Sequence, residues 1–157
     1  MVKLFISHRG NIDGPNSKLE NKPEYILKAI KVGFDVEVDV RFYKNNFYLG
    51  HDEPKYKVTK KFLKNTRIWS HAKDLYAFDK LKEIKAKYFW HQNDDYTLTS
   101  NNFFWTYPGK KNSKNCICVI LKYKKIKNLN CYGVCSDYII KFAEQFMKIK
   151  KKNEYYL

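Results

Sequence analysis

The sequence predicts an α/β fold, namely a compact (β/α) barrel of the TIM type in shortened form. Three observations lead to this prediction. Six or seven apolar, strand-like segments recur along the chain, helix-like or compact crossover segments separate them, and several of them end in a polar residue. Strands alternating with crossovers favour a parallel sheet covered by helices. In such a barrel the functional groups lie at the carboxyl ends of the strands.

The length constrains this fold. Barrels of this type usually need about 250 residues, whereas the chain has 157. We therefore expect one domain, residues 1–157, in which a strand is missing or helices are replaced by loops. No internal repeat and no linker divides it.

The first half of the chain alternates between strand and helix signals. A strand over residues 2–7, an amphipathic helix from Pro23 that ends at Gly33, a strand over residues 34–41 and a short returning strand over residues 47–50 are predicted.

The second half continues the pattern. We expect a polar linker or helical turn at residues 57–64, a strand at 67–73, and a helix whose apolar face begins at Leu75. Strands at 88–93, 103–109, 116–121 and 132–138 follow, with a polar connection containing one helical turn at 94–100. A helix at 139–149 and a frayed tail at 150–157 close the chain.

Composition limits the function classes. The net charge is +15, but only three of the 31 basic residues are arginine. Lysines spread over solvated positions, as codon bias would produce, are favoured over a dedicated basic face. No nucleic-acid-binding motif is present, so we expect no specific nucleic-acid partner. No signal peptide and no apolar run of about 20 residues is visible, which predicts a cytoplasmic protein without a transmembrane segment. The oligomeric state is not defined by the sequence.

Four cysteines lie in apolar segments of the last third: Cys116, Cys118, Cys131 and Cys135. Their spacings differ from the Cys-x-x-Cys pattern of zinc knuckles. Buried, reduced thiols are favoured over a zinc site.

The strand at residues 34–41 carries the strongest chemical signal. Its valines alternate with charged residues, so Glu37 and Asp39 share one face of the strand. Two carboxylates held this close repel each other unless a cation or a proton relieves them. The pattern predicts a metal site for a hard cation such as Mg²⁺ or Ca²⁺.

Further polar groups cluster near the predicted strand ends: His8 with Arg9, His51 with Asp52, and His71 with Lys73. Histidines suit proton removal and donation near neutral pH. Arginine and lysine suit the binding of phosphate oxygens. A metal site, an acid, a base and an anion-binding group are together what phosphodiester cleavage requires.

These motifs, in this order, resemble the glycerophosphodiester phosphodiesterase family. The matching pieces are His8-Arg9-Gly10, Leu19-Glu20-Asn21, Gly33 to Val40 and Leu49-Gly50-His51-Asp52. The match covers residues 4–52, and the remaining two thirds of the chain match loosely.

The resemblance implies a (β/α) barrel that needs a divalent cation and cleaves a small phosphodiester substrate into an alcohol and glycerol phosphate. It implies that His8 and His51 form the catalytic acid–base pair and that Arg9 binds the phosphate. Glu37 and Asp39 would ligate the metal. Related phospholipase D toxins share the two histidines and the acidic pair, so the resemblance defines the reaction class more firmly than the substrate. The expected substrate is a glycerophosphodiester or a related lipid head-group diester.

One position departs from the family pattern. A third acidic ligand is usual on the next strand, in a Glu-x-Lys setting, and here His71 stands in that place with Lys73 two residues on. His71 could ligate the metal and Lys73 could contact the phosphate. A nitrogen ligand would admit Mn²⁺ or Zn²⁺ more readily. The alternative is a catalytically impaired barrel that binds phosphorylated ligands or anionic polymers.

Overall fold

The computed structural model describes residues 2–147. It contains ten strands and four short helices. In chain order these are β1 (Leu4–His8), α1 (Pro23–Val32), β2 (Asp35–Tyr43), β3 (Asn46–Leu49), β4 (Tyr56–Val58), α2 (Lys60–Leu63), β5 (Ile68–Ala72), α3 (Leu75–Glu83), β6 (Tyr88–Trp90), β7 (Tyr96–Leu98), β8 (Phe104–Thr106), β9 (Cys116–Val119), β10 (Gly133–Ser136) and α4 (Ile139–Met147).

All ten strands belong to one curled sheet. Seven of them run parallel to their neighbours, in the order β6-β5-β2-β1-β10-β9-β8. Three antiparallel strands extend it: β3 pairs with the far end of β2, β4 pairs with β3, and β7 pairs with β8. The carboxyl ends of the seven parallel strands therefore meet at one rim.

The predicted TIM-type barrel is wrong. The sheet is an open, half-barrel-like curl, because no strand ladder joins β6 to β7 or β8 within residues 2–147. Helices do not alternate regularly with strands either. Only residues 107–115 connect β8 to β9, fewer than the dozen or so that a helical crossover requires. β7 fills the connection between β6 and β8.

Most predicted elements lie close to their expected positions, with two differences. Residues 96–98 form strand β7 where a helical turn is expected, and β4 lies where the linker at residues 57–64 is expected to begin. The end of the predicted closing helix, at 148 and 149, and the tail at 150–157 lie outside the described residues.

The alternation in β2 separates two environments. Val36, Val38 and Val40 are fully buried on the outer face, where helices α1 and α3 cover them. Helix α1 starts at Pro23 and ends at Gly33, whose φ of 113° is left-handed, as expected of a residue that stops a helix. The opposite parity of β2, which includes Glu37 and Asp39, faces the inside of the curl.

The inside of the curl is filled by side chains from six strands: Ile6, Trp69, Phe89, Trp105, Ile117, Val119 and Cys135. The rings of Phe89 and Trp105 stack with their centroids 4.4 Å apart. A third cluster packs beneath α4 and includes Phe34 and Phe142. The inner cluster closes the floor beneath the rim, so polar groups on the last inward-facing positions line a cleft rather than a channel.

Candidate active site

The register of three neighbouring strands assembles the site. His8, the last residue of β1, is the partner of Glu37 in β2, and Asp39 is the partner of His71 in β5. Because partners in a parallel pair point to the same face, these four side chains converge on the inside of the curl. Asp137 follows the last residue of β10 and joins them from the other side of β1.

Glu37, Asp39 and His71 form a compact set of ligand atoms, all within 4.8 Å of one another. The His71 Nδ1 atom lies 3.5 Å from Glu37 Oε1 and 3.6 Å from Asp39 Oδ1. The two carboxylate residues are only 2% and 1% exposed. Two buried anions and a histidine nitrogen thus face one point at the bottom of the rim.

The tautomer of His71 follows from its other nitrogen. Nε2 lies 2.8 Å from the carbonyl oxygen of His91. A carbonyl can only accept, so Nε2 carries a hydrogen and Nδ1 is the ring nitrogen that faces the two carboxylates. In the neutral ring, Nδ1 has the lone pair that a metal ligand needs. Backbone carbonyls orient metal-binding histidines in this way in many proteins.

Two carboxylate oxygens in the set have no hydrogen-bond donor among the described residues: Glu37 Oε2 and Asp39 Oδ1. A buried acceptor without a partner costs free energy. A divalent cation bound by these oxygens and by His71 would remove that cost. The residues present therefore fit a metal, with mixed oxygen and nitrogen ligands.

The second oxygen of Asp39 is held firmly. Arg9 Nε lies 2.8 Å from Asp39 Oδ2, and the Asn21 side-chain amide donates to the same oxygen at 2.9 Å. Asn21 also accepts from the Asp39 backbone N–H. Burial by itself raises the pKa of Asp39, but Arg9, then His71 and, less strongly, the Asn21 hydrogen bond bring that pKa below its ordinary value. Asp39 is therefore ionised and fixed in direction.

His8 and Asp137 form a hydrogen-bonded pair with 2.8 Å between Nδ1 and Oδ1. Asp137 also accepts from the side-chain amide of Asn11 at 2.7 Å. Nδ1 of His8 therefore carries a hydrogen, and Nε2 points toward Glu37 Oε2, 3.8 Å away. Burial lowers the pKa of His8, but the Asp137 hydrogen bond and the charge of Glu37 outweigh it and leave the pKa raised.

His51 approaches from the returning strand β3. The Gly50 N–H donates to the backbone oxygen of Asp39, which places the residue after it next to the strand that carries Glu37 and Asp39. The His51 side chain is 44% exposed, and its Nδ1 lies 2.6 Å from Asp52 Oδ1. Arg41 donates to the His51 carbonyl oxygen. His51 thus pairs with a carboxylate, as His8 does, but its side chain is much more exposed to solvent.

These groups line a cleft of about 360 Å³, here called the histidine cleft. All four histidines of the chain line it: His8, His51, His71 and His91. Arg9 and Lys73 supply positive charge there, and the Lys73 ammonium lies 3.8 Å from Asp39 Oδ1. The seven predicted site residues therefore meet in one place, with Asp39 buried just beneath the lining.

Sequence reasoning missed the residues that support these groups. Asp137, Asn11, Glu20 and Asn21 carry no predicted role, yet they hold His8, Arg9 and Asp39 through hydrogen bonds. For Asp137 the available signal was its position directly after a strand. Asn21 has a left-handed φ of 62°, which the sequence does not announce.

No protein-family model, no curated protein and no solved structure matches this chain. The resemblance to glycerophosphodiester phosphodiesterases therefore stays a prediction from the motifs. Between residues 2 and 147, no helix is long and apolar enough to cross a membrane. The four cysteines are free and buried, and none of them belongs to a cluster that could hold a metal among the described residues.

Proposed function

We propose that this protein is a divalent-cation-dependent phosphodiester hydrolase that acts on glycerophosphodiesters or on a related lipid head-group diester. One observation carries the proposal: Glu37 and Asp39 each have a buried carboxylate oxygen without a hydrogen-bond partner among the described residues, and these two residues and His71 lie beside the His8–Asp137 pair at the histidine cleft. Such a cleft brings cation binding and proton transfer to the same place, which phosphodiester cleavage requires.

The histidines have the geometry for acid–base catalysis. Hydrolysis adds a hydroxyl oxygen to phosphorus and breaks one phosphorus–oxygen bond; one proton leaves the attacking hydroxyl and one joins the departing alcohol. His8, fixed through Nδ1 by Asp137, keeps Nε2 for one proton transfer, and His51, paired with Asp52 and lining the same cleft, serves the other. The pH dependence of turnover in the His8→Ala and His51→Ala variants distinguishes the histidine that removes a proton from the one that donates a proton.

The charged groups suit a phosphate. A cation bound by Glu37, Asp39 and His71 would polarise a phosphoryl oxygen. Lys73 and the part of the Arg9 guanidinium that faces the cleft add positive charge beside it. Mn²⁺ or Zn²⁺ suits a set containing an imidazole better than Mg²⁺ or Ca²⁺.

The test is hydrolysis of a panel containing glycerophosphodiesters, lysophospholipids and a chromogenic diester, each with Mg²⁺, Ca²⁺, Mn²⁺ and Zn²⁺. His8→Ala and His51→Ala should each lower turnover at least about 100-fold while circular dichroism stays unchanged. Activity that survives both substitutions contradicts the proposal.

Metal binding is tested separately by calorimetry. Glu37→Gln should weaken cation binding at least about 100-fold, because it removes a charged ligand. Glu83→Gln is the matched control, since Glu83 is an exposed residue that pairs with Lys80 on helix α3. Equal affinities of the two variants contradict the metal site.

A second candidate is a binding protein for phosphorylated ligands, favoured by the net charge of +15 and by a histidine in place of a third acidic ligand. It differs from the hydrolase in one measurement. A diester that binds in the histidine cleft but is not cleaved with any of the four cations identifies the binder.

A further inference from the structure

The histidine cleft has a neighbour on the other side of His51. This second cleft, here called the side cleft, has a volume of about 550 Å³. Arg9 and His51 line both clefts. A phosphate held at Arg9 and His51 therefore has one cleft on each side of it, one for each of the two alcohols of a diester.

The two clefts differ in chemistry. Beyond its polar floor, the histidine cleft has an apolar wall made by Trp90, Tyr107 and Leu121, with Pro108 beside them. The side cleft has no Trp, Tyr, Leu or Pro in its lining; apart from Gly50, every residue that lines it has a polar or charged side chain, and Glu20, Asp52, Glu53 and Lys55 contribute charges. If both alcohols of the diester were polar, or both were apolar, one of them would lie against a cleft lining of the opposite polarity.

The apolar wall is already formed. Trp90, at the end of β6, packs edge-on against Phe78 with 6.4 Å between ring centroids. Tyr107 follows β8 and packs edge-on against the ring of His91 at 5.5 Å. The Tyr107 N–H donates to the Asp95 carbonyl oxygen, yet the residue is 43% exposed. An exposed aromatic ring on a fixed backbone at a cleft mouth is an apolar surface available to a ligand.

We propose that the substrate is an asymmetric phosphodiester with one apolar, ring-sized alcohol and one polar alcohol. This inference rests on the proposed phosphodiesterase function and names its substrate class. The apolar group lies against Trp90, Tyr107 and Leu121, and the polar alcohol occupies the side cleft. Tyr107 and Leu121 are accordingly specificity-determining residues that take no part in bond breaking.

The experiment compares two diesters of glycerol phosphate, one with benzyl alcohol and one with methanol. Their leaving alcohols have similar acidity, so a difference between them reports on the apolar group alone. Binding is measured by calorimetry with Mn²⁺ on the His8→Ala variant, which should not turn the ligand over. Hydrolysis is measured with the unsubstituted chain. We expect the benzyl diester to bind roughly tenfold tighter or more, as burial of a ring implies.

Wall variants assign the preference to its surface. Tyr107→Ala and Leu121→Ala should each reduce the benzyl preference to within about threefold of the methyl diester. Tyr43→Ala is the matched control, because Tyr43 is 50% exposed at the end of β2 and does not line either cleft. It should leave the preference unchanged.

The outcomes separate this inference from the proposed function. Hydrolysis of the methyl diester with no gain for the benzyl diester leaves the phosphodiesterase proposal in place and overturns the substrate class. A benzyl preference that both wall variants retain also overturns it. Tighter benzyl binding that depends on Tyr107, without hydrolysis of any diester, supports the wall and contradicts the hydrolase.

Discussion

At the scale of single residues, His71 adds a nitrogen atom to a candidate metal site whose other members, Glu37 and Asp39, are carboxylates. Its Nε2 donates to the His91 carbonyl oxygen, so the ring is oriented with Nδ1 facing Glu37 and Asp39. Preorientation of this kind lowers the entropy that a ligand must lose on binding a metal. The same position holds a carboxylate in the family that the motifs resemble, so the substitution changes ligand charge and softness together.

His71→Glu should reverse the cation preference. We expect the unsubstituted chain to bind Mn²⁺ or Zn²⁺ at least about tenfold more tightly than Mg²⁺, and the variant to shift toward Mg²⁺ and Ca²⁺, because carboxylate oxygens suit hard cations. Calorimetric titration with each ion measures the order. Equal affinity of the unsubstituted chain for Mn²⁺ and Mg²⁺ contradicts the role of the imidazole.

Asp137→Asn tests the orientation of His8. The amide keeps the shape of the carboxylate but removes the negatively charged acceptor of the His8 Nδ1–H hydrogen bond. In that bond Nδ1 lies 2.8 Å from Asp137 Oδ1. Turnover should fall roughly 100- to 10,000-fold, as for other histidines deprived of their carboxylate. Cation affinity should stay within about threefold, because Asp137 is outside the ligand set. A parallel loss of cation affinity would indicate a collapsed site rather than a misoriented histidine.

At the scale of elements, strand alternation explains what the sequence could predict. Glu37 and Asp39 follow from the period of two in β2, because the valines between them must lie on the helix-covered face. Asn21 and Asp137 do not follow, because their roles depend on a left-handed turn and on a strand more than 100 residues away from β1. Local periodicity places Asp137 at the end of a strand but does not indicate that this strand lies beside β1, and it carries no information about Asn21.

The turn after β3 sets the position of His51. Gly50 has a φ of 153°, and a Cβ added there would lie 2.0 Å from the Glu53 carbonyl oxygen. Gly33 also has a left-handed φ, but a Cβ there would meet no atom within 4 Å. Comparing alanine substitutions at these two glycines therefore distinguishes the cost of backbone strain, present at both, from the cost of steric overlap, present only at Gly50.

Gly33→Ala should lower the free energy of unfolding by about 1–2 kcal/mol, from the left-handed conformation alone. Gly50→Ala should lower it by roughly twice as much or more, because the turn must also move away from Glu53. Urea unfolding monitored by circular dichroism measures both. Equal losses would show that the turn opens without cost.

At the scale of the whole molecule, the sheet formed by residues 2–147 does not close. The sequence indicates parallel strands, and seven are present, but the barrel that it predicts fails where connections are short and polar. Strand segments are identified by apolar runs, whereas closure depends on the twist and stagger of all strands together. No single segment of the chain encodes that property.

The cysteines report on the integrity of this sheet. All four are at most 6% exposed, and burial raises the pKa of the Cys135 thiol well above its ordinary value. We expect a thiol reagent such as dithionitrobenzoate to react slowly with the native chain and to label all four residues as urea unfolds it. The labelling rate should follow the loss of circular dichroism. Rapid labelling of any cysteine without urea contradicts the packing described for it.

The open side of the sheet has a mechanical consequence. Ser100 links the two sides of the gap through its backbone and side chain: the Ser100 N–H donates to the Tyr88 carbonyl oxygen, and the Ser100 hydroxyl accepts from the Tyr88 N–H. Trp90 lies at the end of the edge strand β6, and Tyr107 follows β8 on the other side of the gap. A ligand in contact with the rings of both Trp90 and Tyr107 would form a further link across the gap. Its binding should slow amide hydrogen exchange at Ser100 and raise the melting temperature, because the bound ligand would hold the two sides of the gap together.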